Sequence, residues 1–416
     1  MTRTSLGAIV FAGLAAACGG GGGSGSTSGD TSGKLADNLT VPTITAGSTY
    51  SFDIGTVVNG KYYLTDRNNK ALDVVDVATH KVTLITGSGP NAFTGCTPAA
   101  SCVGANNGLS GPNGVNWITG TDFLYVGDVN SVKIVSISSQ QVVGKVIVGN
   151  TGFRADEGCY DADDHLFMIQ TPDADQPYAS IINTDTQTVV ATVLWVDTNG
   201  QPAGGNEACA YDAASKSFMV NNDGTVQNPH GELDVIPAAD FAGLSGATVN
   251  VFSLANVKRF PLGNCDPTGF DLGPGTDAIV ECRPGDKGQP LTTLIVNRTN
   301  GAILATLPVG GGDQVAYDAR TNKYYVGASR WHDSGVNDAG GGCSATNPCN
   351  PQVFVIDASS RQVVQRIQAG NNAHSVAVDP ATGQIFSPSS SATAPAGCPG
   401  CANDGLANGG IAVFAS

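Results

Sequence analysis

Charge is scarce in this chain of 416 residues: 13% are Asp, Glu, Lys or Arg. Basic residues are the scarcer kind, 20 against 35 acidic, so the formal charge is −15. Such a surface repels phosphate backbones, which excludes nucleic acid as an expected partner. The apolar run 6–17 is too short to cross a bilayer as a stable helix. Several catalytic signatures are missing: His-Glu-x-x-His, Gly-x-Ser-x-Gly, a nucleotide phosphate loop, and a dinucleotide fingerprint before a helix. "GDTSGK" at 29–34 imitates a phosphate loop in letters but lies in a Gly/Ser stretch that cannot hold a fold. There is no Cys-x-x-Cys-His, so covalently attached haem is not indicated.

What is abundant is glycine, 55 residues, and a repeated strand register. Its clearest copies are "GGDQVAYDARTNKYYVGASR", "GNEACAYDAASKSFMVNNDG" and "NNAHSVAVDPATGQIFSPSS". Each places a polar residue four positions before an apolar strand residue, then an Asp, a short turn and a second apolar strand. Seven copies at intervals of about fifty residues predict an all-β fold, a seven-bladed β-propeller. Asp161, Asp212, Asp271, Asp318 and Asp379 begin turns, where a short acceptor can bond its own backbone. The last copy stops after its third strand, "GIAVFAS". The segment 39–45 resembles the missing fourth strand, so an N-terminal strand is expected to complete the last blade and close the ring.

Leu14-Ala15-Ala16-Ala17-Cys18 resembles a bacterial lipoprotein signal, with an ordinary secretory cleavage site as the alternative. The expected organisation is a signal peptide over 1–18 with Cys18 lipidated, a Gly/Ser-rich tether over 19–37, and the propeller over 38–416. The chain is then exported and anchored to a membrane, in the periplasm, on the outer membrane or on the cell surface. Ten further cysteines suit an oxidising compartment. Cys96 with Cys102, Cys343 with Cys349, and Cys398 with Cys401 are close enough in sequence to pin loops. Cys265 and Cys282 flank one strand pair. Cys159 and Cys209 stand on equivalent strands of adjacent repeats and are read either as a bridge or as two buried thiols.

In a propeller the first strand of each blade lines the axis. The register therefore gathers Asp53, Asn113, Asp156, Glu207, Asp266, Asp313 and His374 at one mouth, with Glu157 competing for the inward position in the third blade. Five of the seven are carboxylates, whereas seven random positions of this chain would hold fewer than one. Carboxylates so placed repel one another unless a cation neutralises them, and oxygen ligands favour a hard ion such as Ca²⁺. His374 is the titratable base of the set and the candidate catalytic residue, with a merely solvated side chain as the alternative. The longest loops open on the same face. Within them Arg283, Arg330, Trp331 and His332 are candidate contact residues.

"VFVIDASSRQVVQRIQAGNNAHSVAVDPATGQIF" resembles the YVTN-type propeller repeat, and "GLSGPNGVNWITGTDFLYVGDVNSVKIV" resembles NHL and gluconolactonase-type repeats. The latter resemblance implies a central Ca²⁺ or other divalent ion, with Asn113, Glu207 and Asp266 as matching ligands. The expected function is binding of a small-molecule or protein ligand on the loop-rich face by a monomer. The alternative is a metal-dependent hydrolase, lactonase-like, or a lyase, using the mouth carboxylates and His374.

Overall fold

The computed structural model describes residues 33–45, 48–98, 102–285, 287–337, 348–391 and 405–415. Seven small antiparallel sheets form the blades of a β-propeller. In chain order they span 52–86, 115–147, 158–194, 206–261, 267–307, 315–368 and 377–414. The second strands explain why the blades stack. In Lys61–Asp66, Tyr62 faces the apolar cluster shared with blade 7, while its neighbour Tyr63 faces the cluster shared with blade 2. Alternate residues of a strand point to opposite sides, and here both sides are covered, so the strand reads as unbroken apolar sequence. Full burial of each such aromatic contributes about 1.5–3 kcal/mol. Asn59 and Gly60, both at positive φ, make the tight turn into this strand.

The closing interface is as complete as the others. Tyr62 of blade 1 stacks on Phe386 of blade 7, with ring centroids 4.8 Å apart. The strand that completes blade 7 is Leu35–Leu39, paired antiparallel with Gly410–Phe414. It begins earlier than the expected 39–45 and overlaps the last three residues of the segment read as tether, 19–37. Pro42 cannot donate to a ladder, and Thr43 takes φ +69°, so the chain turns there. Val41 and Ile44 instead fill the core between blades 7 and 1. Cys18 and the proposed signal segment lie outside the described residues.

Four of the five turn aspartates bond their own turns, as in Asp161 Oδ1 accepting from Asp163 N at 2.9 Å. Asp271 is the exception: its Oδ2 accepts from Tyr317 N of the next blade at 2.7 Å. A fifth strand, Ala247–Asn250, pairs in parallel with the outer strand Thr188–Leu194 of blade 3. It comes from an insertion in blade 4, and nothing in the repeat pattern foretells it.

Disulfides join Cys96 to Cys102, Cys265 to Cys282, and Cys159 to Cys209. The last resolves the open alternative, because neighbouring inner strands bring the two Cα atoms to 5.6 Å. Cys349 is also disulfide-bonded, whereas Cys343, Cys398 and Cys401 lie outside the described residues. The Cys159–Cys209 bridge closes a long loop between blades 3 and 4 near the axis. Replacing both cysteines by serine is expected to cost about 2–4 kcal/mol. A denaturant titration checks this, and an unchanged midpoint would contradict it.

Candidate functional site

Inner strands begin, and second strands end, on the same face of the ring. The polar residues that precede the inner strands therefore meet the side chains that follow the second strands. Arg67 follows Lys61–Asp66 and turns toward the axis. Its Nε and Nη2 donate to Asn113 Oδ1 at 3.0 and 2.7 Å, and Nη1 donates to the Phe52 carbonyl at 2.8 Å. It also pairs with Asp53. Arg154 enters from the connection between blades 2 and 3. It reaches Asp173 Oδ2 at 2.6 Å, Asp156 Oδ2 at 2.8 Å and Asp53 Oδ2 at 3.3 Å.

These guanidinium groups supply counter-charge where the sequence suggested an ion. Burial would push Asp53 up, but Arg67, His374 and Arg154 together hold it well below the usual carboxylate range. Burial would likewise weaken Arg154, yet Asp156, Asp53, Asp173 and Glu207 hold its charge firmly. Asn113 does not fit the expected ligand role. Its Oδ1 accepts twice from Arg67 and its Nδ2 donates to the Ser110 carbonyl, which leaves no lone pair for a metal ion.

His374 stacks on Phe52, with ring centroids 4.7 Å apart and planes within 8°. Its Nδ1 lies 2.9 Å from the Asn372 carbonyl, which can accept only if that nitrogen carries the proton. The Nδ1 proton is thus held by the backbone. Nε2 is left facing Asp53 Oδ1 at 3.6 Å. Asp53, Asp313 and His374 offer donor atoms that all lie within 4.8 Å of one another.

The other expected residues are spread over two levels and a rim. Asp156 points up to Arg154, whereas Glu157 lines the axial channel below, a cavity of about 280 Å³. Burial raises Glu157 well above the ordinary range, reinforced by Asp313, Asp156, Glu207 and Asp53. Burial and then Asp223 push Glu207 up to about 8, against the pull of Arg154 and Arg283. Asp266 stands on the rim in a left-handed conformation, φ +46°. Gly285 N donates to its Oδ2 at 2.7 Å, and His230 Nδ1 lies 3.4 Å from its Oδ1.

Arg283 and Arg330 both line the mouth, a cavity of about 380 Å³ bounded also by Asp53, Asp313, Arg154 and His374. Trp331 and His332 do not, contrary to expectation. Trp331 is 3% exposed and packs edge-on against Phe354 with centroids 5.1 Å apart, beneath Arg366. His332 is 1% exposed, with Nε2 3.7 Å from Cys349 Sγ. Trp331 belongs to the apolar core between blades 5 and 6, which draws this stretch inward and away from the mouth. Sequence reasoning missed Arg67, Arg154, Asp173 and Asp223. For Arg67, Arg283 and Arg330 a signal exists: each comes within two residues of the end of a second strand, as in "KYYLTDR" and "KYYVGASR".

No protein-family model and no curated protein matches the chain. Its fold is similar to that of a chain of Kuenenia stuttgartiensis hydrazine synthase, with TM-score 0.61 and 14% identity over 90% of this chain and 97% of that one. It is also similar to the WD40 propeller domain of Doa1, with TM-score 0.54 and 10% identity over 92% and 97%. A chain of the mitotic checkpoint complex matches with TM-score 0.56 and 12% identity over 99% and 100%. These likenesses establish the seven-bladed propeller, a fold that serves as a scaffold for binding ligands or partners, and they stop there.

Proposed function

We propose that this propeller binds an anionic small molecule at its mouth, held by Arg283 and Arg330. The observation that carries this reading is the state of those two guanidinium groups. Both face the mouth cavity, and among the described residues neither forms an ion pair or a side-chain hydrogen bond. Burial and the neighbouring Arg283 push Arg330 down to about 10, against the pull of Asp313. Two cations held together in a half-buried cleft are unfavourable until an anion joins them. The planar guanidinium fork matches carboxylate and phosphate oxygens in pairs. Arg67 and Arg154 differ, because their charge is already used by buried carboxylates.

Isothermal titration with succinate, citrate, phosphate and sulfate tests the proposal. At least one should bind, and Arg283→Ala and Arg330→Ala should each weaken it about 10- to 100-fold, the loss of one charge-assisted pair. Failure of every anion to bind, or full binding by both variants, would sink it.

A second reading rests on the Asp53, Asp313 and His374 donor set. A divalent ion there would take one imidazole and two carboxylates, a set better suited to a transition metal than to the Ca²⁺ expected of an all-oxygen ring. His374 would then be a ligand, and its lone pair at Nε2 would not be free for the catalytic base role of a hydrolase. Metal analysis with a thermal melt, with and without chelator, separates the readings. We further propose export, supported by the disulfides among the described residues. Loss of membrane association in Cys18→Ser tests the anchor.

A further inference from the structure

We infer that the mouth ligand is a zwitterion of the amino-acid class, its cationic nitrogen held by Asp223 and Asp266 while its anionic group sits on Arg283 and Arg330. This rests on the anion-binding reading above. A second cavity of about 360 Å³ opens beside the mouth and shares both arginines with it. Its lining also carries Asp223 and Asp266, with Thr268, Gly204 and Gly285. One cavity thus presents both cationic and anionic groups. Its volume is at the lower end for small-molecule sites, about 300–1,000 Å³, so it suits a compact ligand.

The two poles are tied together. Arg283 N donates to the Asp266 carbonyl at 3.1 Å, so the backbones of these two residues are fixed to each other. Asp266 is oriented by Gly285 N and His230 and held in a conformation that few non-glycine residues adopt. Asp223 is the more telling group. Its Oδ1 is shielded from solvent and has no hydrogen-bond partner among the described residues. Buried polar atoms in native structures nearly always have partners, so this lining carboxylate is short of a donor. Gly205 packs against the same carboxylate: a Cβ there would fall 2.5 Å from Asp223 Oδ2, so a larger residue would displace it. An ammonium group supplies several donors and a positive charge at one point, which both carboxylates can share.

A plain dianion would find the wrong charge at Asp223, and a diamine would find the wrong charge on the arginines. A zwitterion satisfies both. Burial and the neighbouring Asp266, Asp313 and Asp173 push Asp223 up to about 7, against the pull of Arg283. A bound ammonium group reverses that penalty, so binding at pH 6 should release a proton from this site.

Matched probe pairs test the inference by calorimetry: L-glutamate against glutarate, and L-alanine against propionate. In the wild type at least one amino acid should bind 10-fold or more tighter than its amine-free partner. Asp223→Asn and Asp266→Asn should each bring that ratio toward one, with the amine-free acid bound at least as well as before. The two variants are near-isosteric and act independently, so either alone decides if the other fails to fold. Arg283→Ala should weaken both members of a pair. If the amine-free acids bind and the amino acids bind no tighter, the zwitterion inference is overturned and the anion reading stands. If none of these probes binds while succinate, citrate, phosphate or sulfate does, the zwitterion inference alone is overturned; if nothing in either panel binds, both are.

Discussion

Arg154→Ala is expected to lose about 3–5 kcal/mol of folding stability, the range for removing one partner of a buried charge group. Arg154 reaches three carboxylates, and two of them, Asp53 and Asp156, have side chains only 6% and 5% exposed. Without the guanidinium group, Asp156 keeps its desolvation cost and loses its main favourable charge. Only Arg67 and His374 would be left to hold Asp53. Lysine should not rescue, since one ammonium group cannot span three carboxylates as the planar fork does. Two controls separate this from lost packing. The penalty should shrink toward acid pH, because burial raises Asp156 and a protonated carboxyl no longer needs the guanidinium, and Arg154→Ala with Asp156→Asn should be less damaging than the two single losses added together. Denaturant titration of the four species measures the coupling. A loss under about 1 kcal/mol would show that the arginine is not the counter-charge of the mouth.

This outcome bears on how much of the site could be read beforehand. Counting back four residues in each repeat does find mouth residues, because strand periodicity is rigid and the register is shared by all blades. Asp53, Asp313 and His374, adjacent in blade order, do come together, whereas Asp156 pairs with Arg154, which the register does not contain. What the register cannot show is which cation balances them. Arg154 lies in an irregular connection between blades and Asp173 in a loop, where no period applies. The fork of Arg67 onto Asn113 joins residues 46 positions apart through side-chain geometry alone. The closing strand illustrates the same limit at fold level. Its existence follows from the incomplete last repeat, but its position depends on where Pro42 and Thr43 turn the chain.

Stability should fall as pH rises from about 4.5 to about 8. Ordinary surface carboxylates give the opposite trend or none. Here several buried acids sit far above their usual values. Burial pushes Glu281 up to about 8, against hydrogen bonds from Gly312 and Thr293, and it pushes Asp234 up to about 8 with help from Glu232. A raised acid pKa means that the folded state holds a proton the unfolded chain releases. The contribution is fully present below the unfolded value, near 4.3 for Glu, and is lost as pH rises to the folded value.

Glu281 makes the clearest case because its hydrogen bonds require the proton. Thr293 Oγ1 lies 2.7 Å from Glu281 Oε2 and 2.9 Å from the Val309 carbonyl, yet a hydroxyl has one hydrogen. A neutral Glu281 resolves the conflict: it donates to Thr293, which donates to Val309, while Oε1 accepts from Gly312 N at 2.6 Å. At about 1.4 kcal/mol per pH unit, this group alone should remove about 3–4 kcal/mol between pH 5 and pH 8. The corresponding fall in Tm is about 5 °C for a domain of this size. Glu281→Gln reproduces the neutral pattern, with its amide NH₂ donating to Thr293 and its oxygen accepting from Gly312. The variant should match the wild type near pH 5 and exceed it at pH 8, with a flatter pH profile. Equal slopes in the two proteins would mean that Glu281 is ionised in the fold, and that the Thr293 hydroxyl gives its proton to the carboxylate and leaves Val309 unsatisfied.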